Sequence, residues 1–426
     1  MTDRPDGVPL PHPDGPLSGY RVVDIADEKG QLCARLLAEL GADVIKVEPR
    51  AGDRTRANGP FFRDEEGRES SLYWWAMNAG KRSVTCETRL EAGRDLFHRL
   101  VAGADAVIGT SAPGAAKDIG ADPRTLAKVN PEAVVVSITN FGQTGPARNL
   151  PATDIVGSAM GGHMYLNGSD ERGPVRTTAP QAYAQVNLQA AVGAVIALYA
   201  RGANGGLGQH VDVSMQESMA NAMDNAQQTW DILQINNRGP GSGRMVSGRE
   251  GPRYIYETAD GWVAALGLGG LMGPTSGAMI DWLDQTGEAG PLTAPHWRER
   301  LEVVQPLEED EQELLVGIME KFCRTRRKDD LVREAQSRGV GWAPVYSPRE
   351  IVESDQLAAR DYWVQVRHED IGETFVYPGA PWKLSGTPWK QRGRAPHVGE
   401  HNVEVYGDLL GLDTDEVAKL RRSMVI

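Results

Sequence analysis

Hydrophobic and polar positions alternate between two periods along the first half of the chain. Tyr20-Arg21-Val22-Val23-Asp24-Ile25 reads as a strand. Leu32, Leu36, Leu37 and Leu40 recur at helical spacing, and Ala42-Asp43-Val44-Ile45-Lys46-Val47-Glu48 reads as a second, buried strand. Strand, helix and strand this close together make a βαβ unit and a parallel sheet. Asp105-Ala106-Val107-Ile108 and Ala133-Val134-Val135-Val136-Ser137-Ile138 add further strands, each after a helical stretch. The expectation is a doubly wound, Rossmann-like α/β layer. Its first βα turn, Ala26-Asp27-Glu28-Lys29-Gly30-Gln31, lacks the G-x-G-x-x-G that lets backbone approach a pyrophosphate, which argues against a dinucleotide-dependent oxidoreductase.

Further on, residues from about Val186 to Ala200 are apolar on most faces and predict a buried helix. Residues 236–253 are glycine-rich and carry Arg238, Arg244, Arg249 and Arg253, the composition of a loop or linker. Ile255 to Thr258 and Trp262 to Leu266 flank Asp260-Gly261, a hairpin signal opening a smaller α+β unit. Asp413-Thr414-Asp415-Glu416 has the spacing of a capping box. The expected division is a leader over 1–16, a first α/β part over 17–220, a linker over 221–253, a small domain over 254–338, and a linker with return to the large domain over 339–426.

Composition narrows the function class. Net charge is −13, which argues against non-specific binding to nucleic acid or anionic membranes but leaves room for a local cationic patch. Three cysteines without a CxxC pair give neither a disulfide framework nor a cysteine-rich metal site, and no metal is expected. Residues 1–16 lack the basic and apolar segments of a signal peptide, and no apolar run is read as membrane-spanning. A cytoplasmic enzyme or enzyme subunit is the expectation.

Motifs spread over most of the chain carry a resemblance. They include Leu36-Leu37-Ala38-Glu39-Leu40-Gly41-Ala42-Asp43-Val44-Ile45-Lys46-Val47-Glu48-Pro49, Gly52-Asp53-Arg54-Thr55-Arg56 and Asn78-Ala79-Gly80-Lys81-Arg82-Ser83-Val84. Phe141-Gly142-Gln143-Thr144-Gly145-Pro146, Pro378 to Pro388 and Gly399-Glu400-His401-Asn402 continue the pattern. The chain thereby resembles the family III CoA-transferases (CaiB/BaiF), which include formyl-CoA transferase and, as a relative, α-methylacyl-CoA racemase. The resemblance implies a large α/β domain built from both chain termini, a smaller domain between them, and two chains interlocked as a dimer. It also implies coenzyme A thioesters and carboxylic acids as substrates, with no permanently bound cofactor.

In that family an Asp attacks an acyl-CoA thioester and carries the acyl group, then CoA, on its carboxylate. The register of that Asp is occupied here by Tyr183, and the register of the racemase His by Thr153. A phenol, with a reference pKa of about 10, is a poor replacement. Lys81 and Arg82, and more weakly Arg54 and Arg56, are implied CoA-phosphate ligands; the plain alternative is solvated or ion-paired surface cations. Where the family reads E-N-F-R-P-G the chain has Gly109 to Gly114, and Lys117 stands at or near a second displaced arginine. His163 is a candidate substitute base, set against a structural hydrogen-bonded histidine. Asp154 and Asp212 read as structural, and Glu217 and Asp224 as solvated or ion-paired. The preferred reading is the nucleophile-lacking subunit of a hetero-oligomeric CoA-transferase, resembling the succinyl-CoA:benzylsuccinate branch. A self-sufficient acyl-CoA enzyme using another group and a non-catalytic CoA-thioester scaffold stay open.

Overall fold

The computed structural model describes residues 15–169, 173–223, 225–236, 245–246, 249–250, 253–265, 268–269, 273–303 and 307–426. In chain order the first part contains β1 (Arg21–Ile25), α1 (Gln31–Glu39), β2 (Asp43–Glu48), α2 (Leu72–Asn78), β3 (Arg82–Thr85), α3 (Glu91–Ala102) and β4 (Ala106–Gly109). There follow α4 (Ala115–Asp118), α5 (Pro123–Val129), β5 (Val134–Thr139), α6 (Asp154–Met160) and α7 (His163–Leu166). The strands β6 (Gly168–Ser169) and β7 (Gly173–Pro174), the long helix α8 (Gln181–Ala203) and β8 (His210–Ser214) complete it.

Six of these strands form one sheet in the order β3-β2-β1-β4-β5-β8, and every neighbouring pair is parallel. The layer therefore runs outward from β1 to β3, then crosses over to β4 on the other side of β1. Consecutive residues point to opposite faces. Val22 enters the core under α1 and α8 with Cys33, Leu37, Ile108, Val136 and Val186. Val23 enters the core on the other face with Ile45, Phe97, Leu100 and Leu126. The chain end belongs to this second core: Tyr406, Val417 and Ile426 pack in it, and Tyr406 Oη donates to the Thr85 carbonyl at 2.8 Å. Asn402 closes the same edge, its Oδ1 accepting from Thr85 N and its Nδ2 donating to Thr85 Oγ1, both at 2.8 Å.

The chain divides into two compact units. The first comprises 1–161, 178–222 and 355–426, the second 162–177 and 223–354. The second unit thus extends beyond the expected limit at 338. The reason is Trp342–Pro344, a strand that pairs with Gly261–Ala265 and completes a three-stranded antiparallel sheet with Ile255–Thr258. Trp342 is buried with Trp282 and Phe322 in that unit's core. The capping box at Asp413 and Glu416 forms as expected. Arg238, Arg244, Asp224 and Leu266 lie outside the described residues, while Arg253 pairs with Glu320 at 2.5 Å.

Helix α8 departs from the expectation in two ways. It is long and apolar enough to cross a membrane by length and composition, which the sequence reading did not credit. It is also not buried all round. Ala182, Val186, Ala190, Ala194 and Ala197 face the core, whereas Leu188, Val192, Ile196 and Tyr199 are exposed. The small residues on one stripe let α8 sit close to the sheet, and the larger apolar ones face outward.

Beneath the carboxyl ends of β1 and β2 lies a buried polar network. Asp24, on β1, accepts from Ala26 N and from Lys81 Nζ, each at 2.8 Å. The same ammonium donates to the Gln31 carbonyl and to Asn78 Oδ1, also at 2.8 Å each. Lys46 lies 3.9 Å from Asp24 and 3.0 Å from Asp53, and also donates to the Ala26 carbonyl. Removing one partner of a buried pair leaves an uncompensated charge. Lys81→Met is therefore expected to lower stability by about 3–5 kcal/mol, read as a lower midpoint in urea unfolding.

Candidate functional site

The reversal between β1 and β4 is a topological switch point, the place where open parallel sheets bind ligands at their carboxyl ends. The turn after β1 lies there. Asp27 N donates to Thr110 Oγ1 at 2.9 Å, fastening this turn to the end of β4. Gly30 makes the close packing possible: a Cβ there would sit 2.6 Å from Ala26 Cβ and 3.0 Å from both Ile138 Cδ1 and Thr110 Cγ2. Asp27 pairs with Lys29 (2.7 Å) and Arg54 (3.0 Å), and Glu28 pairs with Arg54 (2.7 Å).

Tyr183 reaches this turn from the first turn of α8. Asp154 Oδ1 accepts from Ala182 N at 2.9 Å and from Tyr183 N at 3.2 Å. Asp154 therefore caps α8, not the helix that follows it in sequence. Thr153 is the N-cap residue of α6 but its side chain makes no cap hydrogen bond. Asn187, one turn along α8, bridges the two segments: its Nδ2 donates to the Tyr183 carbonyl (2.7 Å) and to the Glu28 carbonyl (3.3 Å), and its Oδ1 accepts from Cys33 N (2.8 Å).

The electrostatics of the site follow from this arrangement. Burial, with Glu28 and Asp27 nearby, pushes the Tyr183 phenol up to about 12. Burial and the same two carboxylates also push Tyr73 upward, and Tyr183 itself contributes. Both phenols are thus protonated at neutral pH, and the Asp154 backbone hydrogen-bonds the Tyr183 hydroxyl. Below them, burial pulls the Lys81 ammonium down to about 8, against the pull of Asp24 and with that of Lys46. Burial opposes ionisation of Asp53, but Lys46 and the Thr55 amide and hydroxyl prevail and hold it at about 2.

Several expected ligands are placed differently from the sequence reading. Lys81 has no exposed side-chain surface and all three of its donors are used internally, so it offers nothing to a phosphate. Arg82 opens β3 and binds Asp43 (2.5 Å) and Glu404 (2.8 Å). Arg56 is buried against Trp74 and holds Glu48 and Glu69, both at 2.8 Å. These three cations stitch the scaffold together, because each lies within reach of a carboxylate from another segment. Arg54 is exposed at the site, though it is paired with Asp27 and Glu28. Lys117 is exposed on α4. His163 belongs to the second unit, where its Nδ1 accepts from Asn167 Nδ2 at 3.1 Å. Among the described residues no cluster of three or more His, Cys, Asp or Glu could hold a metal ion.

Sequence reasoning passed over Asp27, Glu28, Tyr73 and Asn187. Only Asn187 left a readable signal, a lone amide in an otherwise apolar stretch.

Residues 17–402 match the family described as CoA-transferase family III. The chain belongs to that family. It is similar to the succinyl-CoA:(R)-benzylsuccinate CoA-transferase subunit BbsE of Thauera aromatica, 35% identical over 391 residues, 91% of this chain and 93% of the relative. It is also similar to formyl-CoA:oxalate CoA-transferase of Streptomyces avermitilis, 30% identical over 96% of this chain and 99% of the relative. Among solved structures, a CaiB/BaiF family protein from Brucella suis superposes with a TM-score of 0.79 at 28% identity, covering 93% of this chain and all of that one.

The Asp53 carboxyl gives a pH signature. Its folded value lies below the ordinary 3.8, so its contribution is present in full above about pH 4 and is lost as pH falls through about 2. That contribution is about 2 kcal/mol. Asp53→Asn should flatten the fall in urea midpoint between pH 4 and pH 2, measured beside the native chain.

Proposed function

We propose that this chain is the non-nucleophilic subunit of a family III CoA-transferase, working with a homologous chain that carries Asp at the Tyr183 register. Tyr183 carries the reading. A phenol held at about 12 is ionised in roughly one molecule in 10⁵ at pH 7, too few for efficient attack on a thioester. Its aryl ester would also return an acyl group less readily than an anhydride. Thr153 offers no base, and His163 has an amide partner in place of a carboxylate. Relatives made of unlike subunits support pairing: BbsE is a subunit, and succinyl-CoA–L-malate CoA-transferase of Chloroflexus aurantiacus has alpha and beta subunits, 27% and 29% identical to this chain.

On this reading the substrates of the assembled enzyme are an acyl-CoA and a carboxylic acid, the assembly is a threaded dimer, and the compartment is the cytoplasm. The native residues keep a folded large unit with a live scaffold, while the reacting carboxylate comes from the partner.

The purified chain, incubated with succinyl-CoA, should show no acyl or CoA adduct by mass spectrometry, and hydroxylamine should trap no hydroxamate from it. An adduct on any of its residues defeats the reading. Co-expression with an Asp-bearing homologue should give a mixed dimer by light scattering that transfers CoA, whereas the chain alone should not. Tyr183→Asp in the lone chain should leave transfer undetectable, since the changes over Gly109 to Gly114 and at Lys117 persist; turnover would mean that only the nucleophile had been lost.

A further inference from the structure

His397 meets a carboxylate at each ring nitrogen. Its Nδ1 lies 2.8 Å from Glu69 Oε2, and its Nε2 lies 3.0 Å from Asp370 Oδ2. The two carboxylates come from separate parts of the first unit. Glu69 stands just before α2, and Asp370 sits in the turn of an antiparallel hairpin, Trp363–His368 paired with Glu373–Pro378. His397 itself lies on the segment that returns to the sheet edge at Asn402. Other charged and titratable groups surround the ring. Arg394 binds Asp370 at 3.1 Å and Glu400 at 2.8 Å, and Glu400 accepts from the His397 amide at 2.7 Å. Arg56 shares Glu69 Oε2 at 2.8 Å and is itself shared with Glu48. His368 stands on the hairpin strand that leads to Asp370.

A neutral imidazole has one N–H and one lone pair. It can donate to Glu69 or to Asp370, and the other carboxylate then faces a lone pair at hydrogen-bond distance. Only the doubly protonated ring bonds both. The charges agree: Glu69, Asp370 and Glu400 outweigh Arg394 and the shared Arg56 unless His397 is a cation. We propose that protonated His397 is a clasp that fastens the hairpin to the Glu69 segment, and that loss of its proton releases the hairpin. The device does not depend on the chemistry of residue 183. Its sign follows from the same contacts. The hydrogen bond from Glu69 and the charges of Glu69 and Asp370 raise the His397 value above the ordinary 6.5, against burial and Arg394. The clasp is therefore complete below pH 6.5 and is lost as pH rises through the raised value. Burial moves His368 the other way, so that ring is largely neutral over this range. Release would be felt inside the unit. Trp75 on α2 stacks on His368 at 4.4 Å and on Phe375 at 5.6 Å, while Asn78 on the same helix accepts from Lys81 Nζ at 2.8 Å. The hairpin thus backs the helix that enters the buried network under the candidate site.

Hydrogen exchange of the full chain, read by mass spectrometry from about pH 6.5 to about pH 9 and corrected for the intrinsic rate, tests the clasp. Protection over residues 363–378 is taken relative to α3, so that a general loss of stability, as from Lys81 near 8, cancels. In the native chain this ratio should fall several-fold as pH rises. In His397→Gln, which has one donor group at every pH, it should be low throughout and show no midpoint. Glu69→Gln removes the largest cause of the raised value, so its midpoint should move down toward 6.5. A native ratio that does not change with pH, or an equal fall in His397→Gln, overturns the proposal. Should His397→Gln not fold, Glu69→Gln decides: a midpoint equal to that of the native chain overturns it.

Discussion

Asp24 holds the first unit together at its functional edge. A carboxylate with no exposed side-chain surface cannot remain ionised unless donors surround it. Lys81 supplies one and the Ala26 amide another, with Lys46 close by. Each of those donors comes from a different stretch: β2, the segment joining α2 to β3, and the turn after β1. The single charge therefore fixes where three segments meet at the carboxyl end of the sheet. Without it the turn carrying Asp27 and Glu28 would keep its bonds to Thr110 and Asn187 and lose the one that ties it to β1.

From that anchor the polar layers spread in two directions. Toward the outer edge, Lys46 hands on to Asp53, Glu48 takes Arg56, and Arg56 reaches Glu69. His397 then lies between Glu69 at 2.8 Å and Asp370 at 3.0 Å, bringing the returning C-terminal segment onto the same side. Toward the switch point, the turn meets α8 through Asn187, and α8 is aimed by Asp154 at its first amides. Cations that resemble phosphate ligands in sequence are spent in this way on internal carboxylates. The acidic balance of the chain makes that outcome natural: with 58 acidic against 45 basic residues, few cations are left over.

The candidate site sets Tyr183 and an acidic turn within the family's α/β frame. Family membership accounts for the sheet, the turn and the helix that presents residue 183. The chemistry depends on what those positions hold, and here they hold a protonated phenol beside an acidic turn. Function resides in the site and is not dictated by the fold.

The sequence by itself determined the alternation of β and α over the first half, because buried parallel strands read as apolar runs and their helices as leucine stripes. It also determined the hairpin at Asp260-Gly261 and the capping box at Asp413, both of which are local signals. Only the tertiary structure decided which cations were free. Lys81 and Arg56 look like exposed ligands in a motif, but their partners, Asp24 and Glu48, lie 57 and 8 residues away and meet them only when strands pair. Likewise Glu28 reads as one more polar residue in a turn, and it becomes a neighbour of Tyr183 because an amide 159 residues further on binds its carbonyl. The second unit's limit at 354 waited on the pairing of Trp342–Pro344, and α8 showed its exposed apolar face only once packed. Periodicity reports which face of an element is apolar; what that face meets, and which charge sits opposite which, is set by contacts between residues far apart along the chain.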